Sequence, residues 1–226
     1  MQKSSSITGE AVAKPRADEW IDITVPIHDS MTSWPGLPHV SIMKFQDLHK
    51  GDETNITKFS MPALAGTHIT TPHHVYKKGN NLNMICFDAL IGNARVIEIT
   101  NTSKITREEL EKAEITSGER ILLKTKNSDK DWTVRPFDKG FIALDIKAAK
   151  YLAELKIQTV GIDYLSIASK GIQKIIYSIL FEAAITIIEG LNLAQVSASP
   201  CILNCLPLKI LGAEGAPARA LIKEYK

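Results

Sequence analysis

Three of the six histidines in this chain lie within one short stretch, LAGTHITTPHH, at residues 64–74. In an extended chain the side chains alternate between two faces, so His68, Thr70 and His74 would look into one space and His73 would point away. Imidazole can act as an acid, a base or a metal ligand near neutral pH. The stretch contains no carboxylate. Its spacing therefore predicts a polar site and leaves open whether that site holds a metal.

Two acidic side chains are predicted to lie in or next to apolar strands elsewhere in the chain. Glu189 stands between ITII and GLNL, and an ionised carboxylate is rarely buried without a partner. We therefore expect Glu189 to pair with His68 or Tyr177, or to have a raised pKa, and either outcome makes it a site candidate. Asp163 in GIDYLSI, together with Ser166, either lines a pocket or caps a neighbouring element.

The elements that must position these residues alternate irregularly between strands and helices. Apolar and β-branched patterning predicts strands at 20–27, 40–45, 94–100, 118–125, 159–167 and 185–193, and two strands each within 55–75 and 207–224. Helical spacing and capping residues such as Thr106 predict helices at 105–115, 145–157 and 172–184. The mixture indicates an α/β fold. We expect one domain at residues 20–226, preceded by a flexible arm at residues 1–19.

The overall composition argues against several classes of partner. The chain has 226 residues and a formal net charge of +2, which gives no electrostatic reason to bind nucleic acid or an anionic membrane. We expect no membrane span and no signal peptide, because no long apolar run is present. The three cysteines do not form a disulfide pattern, and we expect Cys201 and Cys205 to be buried free thiols. These features predict a cytoplasmic protein that acts on a small molecule.

Residues 64–74 also resemble the signature strand of a known family. In the cyclase superfamily, which includes bacterial kynurenine formamidase and isatin hydrolase, this strand has the pattern His-x-Gly-Thr-His-x-Asp-x-Pro-x-His. The corresponding residues here are Leu64-Ala-Gly-Thr-His68-Ile-Thr70-Thr-Pro72-His-His74. Further blocks that resemble the family include FDALIGNARVIEI, GERILLKT, ITIIEGLNL and PLKILGAEGAPARA, so the resemblance covers residues 20–223. It implies a swivelling β/β/α domain that assembles as a homodimer or homotetramer.

The resemblance also implies a set of site residues. In dinuclear members of the family, the first two histidines and the aspartate of the signature bind metal, and a later histidine and glutamate complete the metal site. The last histidine of the signature is the general acid or base. This chain retains three of these six positions, at His68, His74 and Glu189. The other three carry different residues, at Leu64, Thr70 and Tyr177, and all three of these changed positions bind metal in the family.

These changes predict that the chain has no metal cofactor. A catalytic zinc site usually has about three protein ligands plus water, and only His68 and Glu189 remain here. Tyr177 would have to ionise from a pKa near ~10, which a weakly held metal would not achieve. If a metal is present nevertheless, we expect zinc or manganese at His68 and Glu189. The resemblance further implies that Trp34, in SWPG, lines the substrate entrance, and we expect Leu64 to contact substrate.

The leading hypothesis is a metal-independent enzyme of the cyclase family. His74 would act as general base or acid, while Glu189 and Tyr177 would orient groups and stabilise charge. His68 and Thr70 would complete the polar site. The reaction would be cyclisation, lactone or amide opening, or elimination on a small carbonyl compound. Two alternatives remain: a metal-dependent amidohydrolase of the kynurenine formamidase type with altered ligands, and a catalytically inactive relative that binds a small ligand.

Overall fold

The computed structural model describes residues 19–101 and 103–225. Within these ranges the chain forms ten strands and three α-helices. The strands are β1 (Ile21–Asp22), β2 (Ser41–Gln46), β3 (Ile56–Ser60), β4 (His68–Thr70), β5 (Ile91–Glu98), β6 (Arg120–Lys124), β7 (Thr159–Ile162), β8 (Thr186–Glu189), β9 (Pro200–Pro207) and β10 (Gly215–Glu224). The helices are α1 (Arg107–Glu111), α2 (Ile146–Leu155) and α3 (Gln173–Glu182). The arm predicted at residues 1–19 lies outside the described residues except for its last residue.

Eight of the strands form one mixed sheet that closes on itself like a barrel. The strand order is β1-β10-β4-β8-β7-β6-β5-β9, and β9 also pairs with β10. Strands β5 to β8 are parallel to one another, and the pairs that involve β4, β9 and β10 are antiparallel. β1 is added outside the ring, along β10. The ring places β4 directly beside β8, although the two strands are far apart in the sequence.

Helices α2 and α3 contribute to the core on the parallel half of the sheet. Every residue of β7 is buried, which explains why its sequence, TVGI, does not alternate between apolar and charged residues. α2 begins at the N-cap Asp145 and buries Leu152, and α3 buries Ile176 and Leu180 in the same core. Thr106 is the N-cap of α1, as its sequence predicted. None of the helices in the described ranges could span a membrane, since the longest have ten residues.

β2 and β3 form a separate two-stranded hairpin whose residues are almost all exposed. Its exposed apolar side chains include Met43, Phe45 and Phe59. A two-stranded hairpin is at best marginally stable in water on its own. Exposed apolar surface of this kind often marks an interaction site. The hairpin is therefore a candidate contact surface.

The stretch at residues 64–74 is not the single extended strand that its alternation predicted. Only His68–Thr70 is a strand. Gly66 precedes it with a positive φ of 66°, and Pro72 begins a short 3-10 helix that ends at His74. Proline lacks the N–H that a ladder requires, so the chain leaves the sheet at this point.

Three other predicted strands have different bounds in the structure. Residues 20–27 form only β1 and a single bridge at Thr24. Residues 159–167 form only β7, because the carboxylate of Asp163 binds a neighbouring loop and the chain leaves the ladder there. Pro207, which was predicted to start a strand, instead ends β9, since it has no N–H to donate. Apolar patterning located the first two of these strands but not β9, and contacts of single residues decide where the strands end.

Candidate active site

The pairing of β4 with β8 brings His68 and Glu189 together. The two residues are directly opposite each other in the antiparallel ladder. β8 ends at Glu189, and Gly190 follows with a φ of 74°. A Cβ atom at Gly190 would lie 2.0 Å from the carbonyl oxygen of Gly66, so only glycine allows the two turns to approach this closely. This close approach fixes the backbone positions from which the side chains of His68 and Glu189 extend.

Glu189 accepts four hydrogen bonds although its side chain is buried. Its Oε2 atom accepts from the Thr70 hydroxyl at 2.5 Å and lies 3.2 Å from Nε2 of His68. Its Oε1 atom accepts from the backbone N–H of Ile167 at 2.7 Å and from the Tyr177 hydroxyl at 2.6 Å. An ionised carboxylate has about four lone-pair positions. All of them are therefore used by donors from this chain.

The charge state of this network follows from its donors and acceptors. Nδ1 of His68 lies 2.9 Å from the carbonyl oxygen of Gly66, and Nε2 faces Glu189. Both ring nitrogens of His68 are thus engaged, and the imidazole and the carboxylate of Glu189 form a close buried pair. Burial acts to raise the pKa of Glu189, but the hydrogen bond and charge of His68, with help from Thr70 and Tyr177, lower it overall. Glu189 is therefore ionised at neutral pH.

Tyr177, on α3, is held in its neutral form. Its hydroxyl donates to Glu189 and lies 3.1 Å from the hydroxyl oxygen of Ser166. Burial, followed by the negative charge of Glu189, raises the pKa of Tyr177 well above its usual range. The Ser166 hydroxyl accepts from the backbone N–H of Ala168 and donates to Tyr177. The phenol is thus a fixed hydrogen-bonding group and not a source of negative charge.

These side chains border a cavity of about 250 Å³. The residues that line it are Trp34, Leu37, Leu64, His68, His74, Leu165, Ser166, Gln173, Tyr177 and Glu189. Three of these lining residues were not predicted from the sequence to belong to the site, namely Leu37, Leu165 and Gln173. Gln173 lies four residues before Tyr177 on α3, and this spacing places both on one face of a helix. That spacing is the signal that could have revealed Gln173.

His74 reaches the cavity from the end of the 3-10 helix that begins at Pro72. Its ring lies edge-on to the ring of Tyr177, with 5.2 Å between the centroids. His74 remains partly accessible to solvent. The protein around the ring nevertheless removes part of its water and lowers its pKa, and this effect outweighs the negative charges of Glu189 and Glu214, which act to raise it. His74 is therefore neutral at pH 7 and able to accept a proton.

Of the side chains singled out in the sequence, Thr70 lies apart from this cavity. It borders a second cavity that also includes Asn80 and Cys86, and its hydroxyl proton is donated to Glu189. His73 is not one of the lining residues, and its Nδ1 atom is buried without a hydrogen-bond partner among the described residues. Trp34, in contrast, lies in the cavity wall. Thr70 thus acts on the cavity through Glu189 and does not border it.

Asp163 is as deeply buried as Glu189 but has a different environment. Its carboxylate accepts hydrogen bonds from the backbone N–H and hydroxyl groups of Thr125 and Ser128, and from the amide of Asn127. Burial raises the pKa of Asp163 in spite of these donors. Of the two roles open to it, capping a loop and lining a pocket, Asp163 has the first.

The donors in the cavity do not fit a catalytic zinc or manganese site. In the described part of the chain, no three His, Cys, Asp or Glu side chains are grouped so that they could hold a metal ion. A catalytic zinc requires about three protein ligands. Leu64 offers no donor atom, the hydroxyl of Tyr177 is donated to Glu189, and the lone pairs of Glu189 are all used. A metal would have to displace the hydrogen bonds of this network.

Comparison with known proteins shows what the chain is similar to. The profile of the Cyclase family, described as Putative cyclase, matches residues 21–169. Kynurenine formamidase from Bacillus thuringiensis (strain Al Hakam) is 30% identical over 209 residues, which are 92% of this chain and 99% of that protein. A solved structure of a potential metal-dependent hydrolase with cyclase activity has a TM-score of 0.83 at 30% identity, covering 93% of this chain and 100% of that one. Isatin hydrolase A from Labrenzia aggregata has a TM-score of 0.75 at 21% identity, with 91% and 93% covered.

These similarities confirm the fold class that the resemblance implied. The mixed α/β architecture and the barrel-like sheet match those of the solved cyclase-family structures over more than nine tenths of the chain. The expectation that the chain is an enzyme is likewise confirmed, because its relatives are hydrolases. The chain belongs to the Cyclase family and is a hydrolase-like enzyme of that family.

Proposed function

We propose that this enzyme carries out acid/base chemistry on a small carbonyl compound without a metal ion. The observation that supports the proposal most is that four donors of the chain saturate Glu189, which leaves the neutral imidazole of His74 as the available proton acceptor in the cavity. The reaction is cyclisation, opening of a lactone or amide, or elimination. Each of these reactions requires proton transfer next to a carbonyl group.

His74 performs the proton transfer in this proposal. The neutral imidazole takes a proton from the attacking group, which is water in ring opening or a hydroxyl or amine of the substrate in ring closure. The attacking atom bonds to the carbonyl carbon, the bond from that carbon to the leaving atom then breaks, and the imidazolium gives its proton to the leaving atom, so the base is regenerated. The edge-on contact with the Tyr177 ring restricts the orientation of the imidazole during both transfers.

The buried residues position the reacting groups. The buried pair of His68 with Glu189, with Thr70 donating to the same carboxylate, holds the hydroxyl of Tyr177 in place. Ser166 donates to that hydroxyl and also lines the cavity. These protons all point to other groups of the network, so the donor left for charge that develops on the carbonyl oxygen is the side-chain amide of Gln173, which lines the same cavity.

The test of this proposal is a substrate screen on chelator-treated protein, with wild type and His74→Ala measured side by side on neutral ring amides, lactones and N-formyl anilines. We expect wild type to turn over at least one of these classes and His74→Ala to be strongly impaired. Because the pKa of His74 is lowered, wild-type turnover should persist as the pH falls to about 6.5 and decline only below it. Turnover that disappears with the chelator and returns with zinc or manganese would contradict the proposal.

The 30% identity with kynurenine formamidase favours a second candidate function. In that case the chain is a metal-dependent amidohydrolase with altered ligands, which binds zinc or manganese at His68 and Glu189 and hydrolyses N-formylkynurenine or a similar amide. Leu64, an apolar residue in the cavity wall, favours a third, an inactive relative that only binds a ligand. For such a binder, His74→Ala would change ligand affinity, and no turnover would be detected in either protein.

We also propose that the enzyme is a cytoplasmic homodimer or homotetramer. The exposed apolar hairpin of β2 and β3 offers a surface for self-association. In the described ranges all three cysteines are free thiols, which suits a reducing compartment. Burial raises the pKa of Cys201 and Cys205 to about 12, so neither is a reactive thiolate. Size-exclusion chromatography with light scattering tests the assembly, and a monomer would contradict it.

A further inference from the structure

We propose that the cavity selects uncharged, flat carbonyl compounds and discriminates against compounds that carry a carboxylate. The inference rests on the proposed function for its choice of cavity, and it adds the charge and shape of the substrate. Three properties of the lining support it: the balance of charge, the apolar wall and the hydrogen-bond donors that remain available.

The described lining residues supply no unpaired positive charge. None of them is lysine or arginine. Both ring nitrogens of His68 are engaged within the protein, by the carbonyl oxygen of Gly66 and the carboxylate of Glu189. Glu189 places a carboxylate in the same lining. A carboxylate entering the cavity would lose its water and meet negative potential without a counterion, which is unfavourable.

Much of the remaining lining is apolar. Trp34, Leu37, Leu64 and Leu165 contribute to it. The Trp34 ring packs edge-to-face against Phe137, with 4.9 Å between centroids, and this contact holds the indole in place. Aromatic rings pack well against one another in stacked or edge-to-face arrangements. At about 250 Å³ the cavity is smaller than pockets for drug-sized ligands, which start near ~300 Å³, so its ligand is a small ring compound.

Gln173 supplies the donor that a neutral carbonyl needs. Its side-chain oxygen accepts from the backbone N–H of Gly171 at 2.9 Å, which fixes the orientation of the amide. The two N–H groups of that amide remain available to a ligand in the cavity that Gln173 lines. A neutral carbonyl oxygen is satisfied by such a donor. A buried carboxylate, in contrast, requires a cation or several donors to offset its loss of water.

Benzamide and benzoate are suitable probes, because they have nearly the same shape and differ in charge at neutral pH. Their dissociation constants with the wild-type protein can be measured at about pH 7 by ligand-observed NMR. We expect benzamide to bind about tenfold more tightly than benzoate, a difference of one order of magnitude in the dissociation constant. Equal affinities, tighter binding of benzoate, or no measurable binding of benzamide would each overturn the inference.

Two leucine-to-arginine variants form a matched pair for the same measurement. Leu37 and Leu211 are both exposed, so each accepts a charge, but only Leu37 lines the cavity. Leu37→Arg should shift the preference toward benzoate by about tenfold, whereas Leu211→Arg should leave it unchanged. The same response from both variants, or none from either, would overturn the inference. This experiment measures binding and not turnover. If the substrate screen detected no turnover, that would count against the proposed function, but the binding preference could still be interpreted.

Discussion

Two buried carboxylates at the ends of neighbouring parallel strands have opposite environments. Asp163 follows β7 and Glu189 ends β8, and neither side chain is accessible to water. One loop, Thr125–Ser128, supplies the donors to Asp163, whose pKa is raised by burial. Glu189 takes its four donors from three separate segments, namely β4, the chain after β7, and α3, and those that include His68 and Tyr177 lower its pKa against the effect of burial.

The difference shows that a buried acid does not by itself identify a site. The partners of Asp163 are the backbone and short polar groups of a loop, so this carboxylate fixes the loop's shape. The partners of Glu189 include ionisable side chains that also line a cavity, where their orientation matters for a ligand. The nature of the donors, and the space they face, separates the candidate site from the structural contact.

The largest expected effect is the loss of turnover when His74, which lines the same cavity as Glu189, is replaced. Removing a general base lowers turnover by about 10²–10⁴-fold, and His74→Ala should do so with little change in folding. Steady-state kinetics and thermal unfolding of the purified variant check this. His73→Ala, next to it in the same 3-10 helix, is the control and should stay close to wild type. Equal losses in the two variants would mean that the helix, and not the imidazole of His74, is what matters.

Amide substitutions test the two carboxylates directly. Glu189→Gln removes one partner of the buried pair with His68, which should lower the free energy of unfolding by about 3–5 kcal/mol and also reduce turnover. Asp163→Asn should cost about 1–3 kcal/mol, since one side of the amide cannot accept, and turnover per folded molecule should not change. Urea unfolding and kcat provide both values. If Asp163→Asn reduced turnover as much as Glu189→Gln, the distinction between the two acids would fail.

A smaller effect is expected from a single hydroxyl. Tyr177→Phe removes a donor to Glu189 and an acceptor for Ser166, which should lower the free energy of unfolding by about 1–3 kcal/mol. Turnover should fall by about tenfold, equivalent to ~1.4 kcal/mol of barrier. Tyr164→Phe is the matched control, because its buried hydroxyl accepts from the backbone N–H of Asp138 and does not line the cavity. It should lose stability and keep turnover.

The smallest expected effect is in the pH dependence of stability. The pKa of Asp163 is raised in the folded protein, so the folded state binds this proton more tightly than the unfolded state does. The resulting stabilisation is present below the unfolded pKa, near ~3.9, and is lost as the pH rises through the folded pKa. The advantage of wild type over Asp163→Asn should therefore shrink with rising pH in urea unfolding. An advantage that grows instead would contradict the assigned direction of the shift.

Part of the candidate site could be predicted from the sequence because it depends on local patterns. The apolar residues around Glu189 required a partner for its charge, and the spacing in residues 64–74 indicated His68 as one. The sequence also shows the Gly and Pro residues of that stretch. It does not show that the chain leaves the sheet at Pro72, which places His74 on a 3-10 helix and not on a strand.

The rest of the site depends on contacts between distant parts of the chain. The backbone N–H of Ile167 donates to Glu189 only because β7 ends early and the chain turns back toward β8. The closure of the ring through β9 and β10 pairs Cys205 with Ala220, and the sequence pattern of neither strand specifies its partner. Periodicity reports the faces of single elements, whereas these features arise from the pairing of several.

We propose that the hydrogen-bond network around Glu189 takes the place of a metal site. Its most direct test is elemental analysis of the purified protein before and after incubation with zinc and manganese, followed by desalting. A variant with Leu64→His, Thr70→Asp and Tyr177→His, which adds ligand side chains around His68 and Glu189, is the positive control. The account predicts far less than about one metal per chain in wild type and a clear gain in the variant. About one metal per wild-type chain that resists desalting would contradict it.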